Sequence, residues 1–543
     1  MAEKTTIEPR LLYVNLILLA GYAFLLVAAA VWKHRTVVFN RLLLTLVCVE
    51  LLLGAPYTLT QMNENEHFTG RIYYTAHVKH QVLDDALRRA EELAQEEGGT
   101  FSVFCRYEYL PRTTCVDTAL HHYSGLTTFA SSNPYLTTKF MGEMGYAING
   151  VNSYLYHSYV APTDSLLGLR YVILDVKITT HPQLTLLDSV SAVNGEEVVT
   201  YYIYRNELAL PVGMAVSEDV RDYEGTKYDP FESQQALFTS LTGMDTPLYE
   251  AMELTSIADG GTVSDSGVSF GENGGVFEAV ADTAGRYFAY VDCRAAEDIS
   301  VEHYRPNEAD EDYINGWTVT NHEPYIIDMG TLQVGDRVEV ALSGDTAATG
   351  NVYLMRIDHQ ALDEYITTLG IGGMKLTDRQ RSSLTGTVTA AKDQVLFFSI
   401  PYDEGWQVYV DGVPTETFPI DSDEETTWDD DGNAITEGGD DGALLGAEIA
   451  EGTHTVTLVF KPKGQLVGAV ISAISLMLLA VPAMLDWRRK KKAAAPVRLA
   501  DLAETPDEEA PILLPDEGED TPAEPTPIIP MEDIEEMPAE DNE

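Results

Sequence analysis

The stretch "IPYDEGWQVYVDGV", Ile400 to Val413, sets three aromatic rings among three carboxylates, Asp403, Glu404 and Asp411. Rings that stack on sugar faces beside acids that bond hydroxyls would make a glycan contact, and Tyr402, Trp406 and Tyr409 are the candidates for it. Alternation offers a plainer use. "VLFFSIPYD" and "WQVYVDG" read as strands joined by a "DEG" turn, and "DG" is itself a hairpin signal. Trp406, Val408 and Val410 then share one face, the side of a sandwich core, while Gln407, Tyr409 and Asp411 share the other, so the carboxylates need not converge.

Other patterns are weaker as chemistry. "GVSFG", Gly267 to Gly271, has the letters of a nucleophile elbow but neither the preceding strand nor the following helix that such an elbow requires, and a turn is expected there. In "DSDEETTWDDDGNAITEGGDDG", Asp421 to Gly442, placing Gly432 at the glycine of a calcium loop puts Asp429 and Asp431 in ligand positions. Thr427 and Gly438 then occupy the first and the bidentate positions, so the pattern fails. An acidic hairpin insertion is expected, with adventitious divalent binding as the alternative. His121 and His122 are adjacent and would face opposite ways on a strand, which does not suit a shared metal. No P-loop, dinucleotide fingerprint or H-E-x-x-H occurs. No catalytic residue, metal ligand or cofactor is assigned.

Four cysteines form no C-x-x-C. Cys105 and Cys115 are close enough in sequence for one disulfide in an oxidising compartment, and two free thiols are the alternative. Glu50 is harder to set aside, because it lies inside an apolar run. A carboxylate at the centre of a span costs about 2.5–3.5 kcal/mol on insertion scales, so it is expected to face a polar partner or cavity, with a neutral Glu near the headgroups as the alternative.

Three segments are long and apolar enough to cross a bilayer: residues 11–32, 42–59 and 465–487. Basic residues follow the first (Lys33, His34, Arg35 and Arg41) and the third ("RRKKK", Arg488 to Lys492). The positive-inside rule places both clusters in the cytoplasm. The N-terminus and residues 61–464 are then outside the cell membrane, and the C-terminal tail is inside. A cleaved signal peptide over Leu11 to Ala30 is the rival reading, but it would invert the topology.

The net charge of −52 excludes a nucleic-acid footprint, which must be basic. About −16 of it lies in the Pro-rich run from Ala493 to Glu543, which lacks periodicity and reads as a disordered acidic tail. Residues 61–245 read as a mixed α/β domain. Its elements are a helix over Ala76 to Glu97 ended by Gly98 and Gly99, a strand over "GTFSVFCRYEYL", a short helix capped by Asn133 with Pro134 first, and a buried strand in "LLGLRYVILDVKI". Residues 246–360 read as a β-sandwich or jelly roll. Residues 361–464 read as a second sandwich carrying a helix-like "DHQALDEYITTLG" and the acidic insertion at 421–442.

These pieces in order resemble the YfhO family of bacterial multi-pass membrane proteins. The resemblance rests on "VELLLGA" (Val49 to Ala55), "FCRYEY" (Phe104 to Tyr109), "YSGLTTFASS" (Tyr123 to Ser132), "FMGEMGY" (Phe140 to Tyr146) and "DSLLGLRYVI" (Asp164 to Ile173). "IPYDEGWQVYVDG", "EGTHTVTLVFKPKG" and the closing span complete it. The family is similar to GT-C glycosyltransferases, which implies glycosylation of a cell-envelope polymer of the lipoteichoic-acid type from a polyprenyl-phosphate sugar. The catalytic carboxylate of such enzymes lies in an early loop with no counterpart here, so none is carried over. The chain resembles the C-terminal part of such a protein, and a multi-pass membrane partner or a missing N-terminal half is expected. A membrane-anchored protein that binds cell-surface glycan is the alternative. The strongly negative outer region would repel a polyanionic acceptor, which favours screening, bridging divalent ions or a neutral acceptor.

Overall fold

The computed structural model describes residues 9–31, 36–66, 77–178, 181–194, 197–257, 261–264, 267–272, 274–307, 311–319, 323–428 and 434–493. The expected tail and the basic residues 33–35 lie outside them. Three described helices are long and apolar enough to cross a membrane, over Tyr13–Val31, Thr36–Tyr57 and Gln465–Lys490. The chain divides into two units, Met1–Lys463 and Gly464–Glu543.

In the first unit the helices Pro9–Val31 and Thr36–Glu66 pack as a hairpin. Gly21 permits the close approach, since a Cβ there would stand 3.3 Å from a Leu46 methyl. In the second unit a single helix, Gln465–Ala493, presents apolar side chains outward along its length. Asp486 pairs with Lys490 at 2.9 Å near its end.

The rest of the first unit is a β-rich body of several sheets. Its first layer orders the strands Arg106–Leu110, Leu169–Leu174, Glu197–Asn206 and Leu184–Asn194. The first pair is parallel and the others antiparallel. The helix Val78–Glu97 lays Val82, Leu83, Ala86, Leu87 and Ala90 on this sheet against Tyr109, Tyr171 and Ile203. That apolar stripe at i, i+4 spacing is why the segment is helical. Gly98, at φ 71°, ends the helix and returns its N–H to the Ala94 carbonyl.

Two local expectations change. Gly99–Val103 is a short helix rather than the start of a strand. The left-handed φ of 67° at Gly99 restarts the chain, and Ser102 Oγ bonds back to the Gly99 carbonyl. The helix over Tyr135–Glu143 has Pro134, not Asn133, at its cap, and the Asn133 amide instead donates to Thr138 Oγ1 at 2.8 Å.

A sandwich follows. One sheet is ordered Thr255–Ser256, Gly275–Val280, Arg337–Ser343, Asp298–Pro306 and Glu311–Val319. The other contains Thr262–Ser264, Gly267–Phe270, Ala348–Ile357, Gly285–Asp292 and Ile327–Leu332. Alternate residues such as Phe277, Val301, Val340 and Leu354 fill its core. The "GVSFG" segment is one of these strands, not a turn. Ser269 Oγ bonds Thr262 Oγ1 across the hairpin at 2.6 Å.

The helix His359–Ile371, capped by the Asp358 carboxylate, leads to a second sandwich. One sheet runs Lys375–Gln380, Ser383–Ala390, Gly452–Phe460, Trp406–Val410 and Val413–Thr415. The other runs Thr417–Trp428, Ala434–Ala447, Gln394–Pro401 and Gly213–Ser217. That last strand comes from within residues 61–245, so the region read as the α/β domain lends a strand to this sandwich across the boundaries drawn on the sequence. The acidic insertion is a hairpin ladder, Trp428 opposite Ala434, with Asp429, Asp431 and Gly432 outside the described residues. Thr427 and Gly438 belong to the paired strands, which removes the calcium-loop reading.

Candidate functional site

Burying a polar group is costly unless it is bonded, so buried acids and cations show where the chain invests specificity. Glu108 is fully buried and accepts the backbone N–H groups of Leu126 and Thr127 at 2.5 and 2.6 Å. Burial nevertheless pushes its carboxyl up to about 7. A Cβ at Gly125 would come within 2.8 Å of Glu108 Oε1, so this position needs glycine. Arg106 reaches the Leu167 carbonyl, Ser399 Oγ at 3.1 Å and the Ser399 carbonyl at 2.5 Å, which ties the first layer to the last sandwich. Asp164 accepts Tyr146 Oη at 2.6 Å, Tyr156 Oη at 3.0 Å and Val160 N at 2.9 Å. Burial pushes it, too, up to about 7.

The segments flanking Arg106 and Gly125 also wall an open cleft of about 960 Å³ beside the helix Val78–Glu97. Phe104, Tyr107 and Tyr123 supply rings, Asp84 and Glu91 acids, and Arg379 enters from the last sandwich. The Arg379 guanidinium lies 4.9 Å above the Phe104 ring and reaches Ser124 Oγ at 3.4 Å. Rings, acids and an arginine in one open cleft can hold a polar ring-shaped ligand such as a sugar. No nucleophile–base pair accompanies them among the described residues. Cys105 Sγ bonds Tyr107 Oη at 3.2 Å, and burial pushes the thiol up to about 11, which makes it a poor nucleophile. His121 is not on a strand. It follows the short helix Asp117–Leu120, stacks on His80 with ring centres 5.5 Å apart, and pairs with Asp84 at 2.6 Å. Among the described residues no group of three or more His, Cys, Asp or Glu could hold a metal ion.

The residues singled out in the sequence lie elsewhere. Tyr402 and Trp406 pack against the core of the last sandwich, Trp406 with its ring centre 4.9 Å from that of Phe460. Tyr409 Oη donates to Gln407 Oε1 at 3.0 Å. None of the three lines a described cavity. The Cys105–Cys115 disulfide is not formed. Both thiols are free, Cys105 facing Tyr107 and Cys115 lying 3.9 Å from an Arg112 nitrogen. Glu50 has a partner in the chain itself: Tyr22 of the neighbouring helix donates its hydroxyl to Oε2. Glu50 therefore does not by itself require helices from another protein.

A family model described as "Bacterial membrane protein YfhO" matches residues 2–472. The chain belongs to the YfhO family. The matched range includes Arg106, Glu108, Gly125 and Asp164, which make the buried contacts described above. No curated protein matches the chain. Among solved structures, allantoicase from Saccharomyces cerevisiae aligns at 11% identity over 38% of this chain and 79% of its own, with a TM-score of 0.13. Procruciferin, an 11S globulin from Brassica napus, aligns at 8% identity over 39% and 82%, with a TM-score of 0.10. Scores this low carry no argument about fold or function.

Proposed function

We propose that this YfhO-family chain serves the glycosylation of a cell-envelope polymer from a polyprenyl-phosphate sugar. In this role its β-rich body holds glycan outside the membrane and does not itself carry out the transfer. The family match over residues 2–472 is the observation that carries the reading, and the three apolar helices agree with a membrane setting. The basic clusters beside the spans support a body outside the cell and a tail inside. The open aromatic cleft, with no activated nucleophile beside it, supports holding rather than reacting. The GT-C resemblance supports a multi-pass companion that holds the lipid-linked donor, with cell-surface glycan on the outer side. Purification of the full chain from native membranes in mild detergent tests the companion. A multi-pass protein is expected at about equal amount, and a chain that migrates alone would remove it. The second reading, a membrane-anchored glycan-binding protein acting without any transferase, rests on the same cleft. It predicts unchanged envelope glycosylation when the chain is deleted.

A further inference from the structure

A second cavity, of about 390 Å³, opens between the helix Tyr135–Glu143 and the end of the strand Gly285–Asp292. It lies within the usual range of about 300–1,000 Å³ for small-molecule sites. That is room for a sugar ring but not for an extended polymer. Tyr135, Tyr228 and Tyr290 line it, together with Lys227, Arg294 and Glu143. None of these residues belongs to the first cleft.

One wall carries Glu143, and Lys139 joins this acid to a second one, Asp421, from a distant part of the chain. Glu143 is only 6% exposed and Asp421 only 1%. Lys139 Nζ stands 3.6 Å from Glu143 Oε1 and 3.6 Å from Asp421 Oδ1. No N–H or O–H of the described residues reaches Glu143 Oε2 or Asp421 Oδ2. A buried acceptor left this way costs about 1–3 kcal/mol, which a ligand hydroxyl can recover. Burial first, and then the nearby Asp421 carboxylate, push the Glu143 carboxyl up to about 7.

The mouth carries a second sign of use. Tyr228 has φ 70°, a left-handed conformation that glycine adopts freely and a bulky residue adopts at a cost of about 1–3 kcal/mol. Its ring is 37% exposed, so packing does not account for the choice. Lys227 Nζ lies 4.7 Å from the ring centre and the Arg294 guanidinium 5.7 Å, which fixes the ring at the opening.

We propose that this cavity binds a single pyranose ring, stacked on Tyr228, with its hydroxyls bonded by Glu143 and the flanking cations. The proposal deepens the glycan-holding reading above and rests on it. Saturation-transfer NMR on the full chain in detergent, with the methyl glycosides of glucose, galactose and N-acetylglucosamine as probes and inorganic phosphate as a competitor, tests it. At least one glycoside should receive saturation and resist millimolar phosphate. Tyr228→Gly should weaken its binding at least tenfold while leaving the unfolding transition unchanged or higher. Tyr228→Phe should bind as the natural chain does. Glycoside binding unaffected by Tyr228→Gly would overturn this site and leave the envelope role standing. Binding lost to phosphate competition, or no saturation of any glycoside, would overturn the sugar assignment. Deletion of the chain with no effect on envelope glycosylation would instead overturn the envelope role, whatever the cavity binds.

Discussion

Asp164→Ala is expected to cost the folded body about 3–5 kcal/mol, a large share of the stability of any domain. The carboxyl is fully buried, and three donors converge on it, the hydroxyls of Tyr146 and Tyr156 and the N–H of Val160. Removing it leaves all three donors without an acceptor in a site water does not reach, and each unsatisfied group carries a penalty of about 1–3 kcal/mol. Tyr146 and Tyr156 also belong to the large central core, so the damage spreads beyond the short helix Ala161–Leu166. Asp164→Asn keeps an acceptor oxygen but turns an NH₂ toward a hydroxyl, and should cost about 1–2 kcal/mol. Denaturant unfolding of the detergent-solubilised chain measures both. A loss below about 1 kcal/mol for the alanine variant would show that the network is not structural.

Glu143→Gln should remove the part of the pH dependence of stability that this carboxyl carries. Burial first, and then the facing carboxylate of Asp421, raise the Glu143 pKa, and burial raises that of Asp421 as well. The sign follows from linkage. The native chain holds these protons more tightly than the unfolded chain does. Their stabilisation is therefore complete below the ordinary carboxyl range near pH 4 and is lost as pH rises through the raised native values. Between pH 5 and pH 8 this contribution alone should cost the natural chain about 1–3 kcal/mol, at about 1.4 kcal/mol for each unit of pKa displacement. Glu108 and Asp164 act in the same direction, since burial raises both, and the net charge adds self-repulsion as acids ionise. The difference between the natural chain and the Gln variant isolates the pair. Glu143→Gln should be the more stable of the two at pH 8, with the gap closing at pH 5. Parallel curves for the two proteins would contradict a raised Glu143 pKa.

What the sequence displayed and what it hid divide along a physical line. The hairpin at Asp411 and Gly412 was legible because two consecutive left-handed residues, φ 53° and 81°, need those side chains. It forms where expected, with Val410 opposite Val413. The helix after Asp358 was legible for a similar reason, since the carboxylate caps the N–H groups of Gln360 and Ala361. By contrast, the pairing of Gly213–Ser217 with Gln394–Pro401 leaves no local trace, because neither strand's pattern names its partner. The same holds for Glu143 and Asp421, which chain folding alone brings beside Lys139. A run of acids in "DSDEETTW" drew attention to metal binding, while its first residue, Asp421, is turned inward at φ 54° to meet Lys139. The family segments were visible as letters, but their meaning was structural. Arg106 and Glu108 alternate on one strand and anchor different loops, and only the fold shows which.

The role in envelope glycosylation is tested most directly by sugar transfer in native membranes. Membranes from cells with and without the chain would receive a radiolabelled polyprenyl-phosphate sugar, and label in the envelope polymer would be counted. The account predicts at least a tenfold fall without the chain, restored when the chain is supplied again. Equal incorporation in both membranes would contradict it.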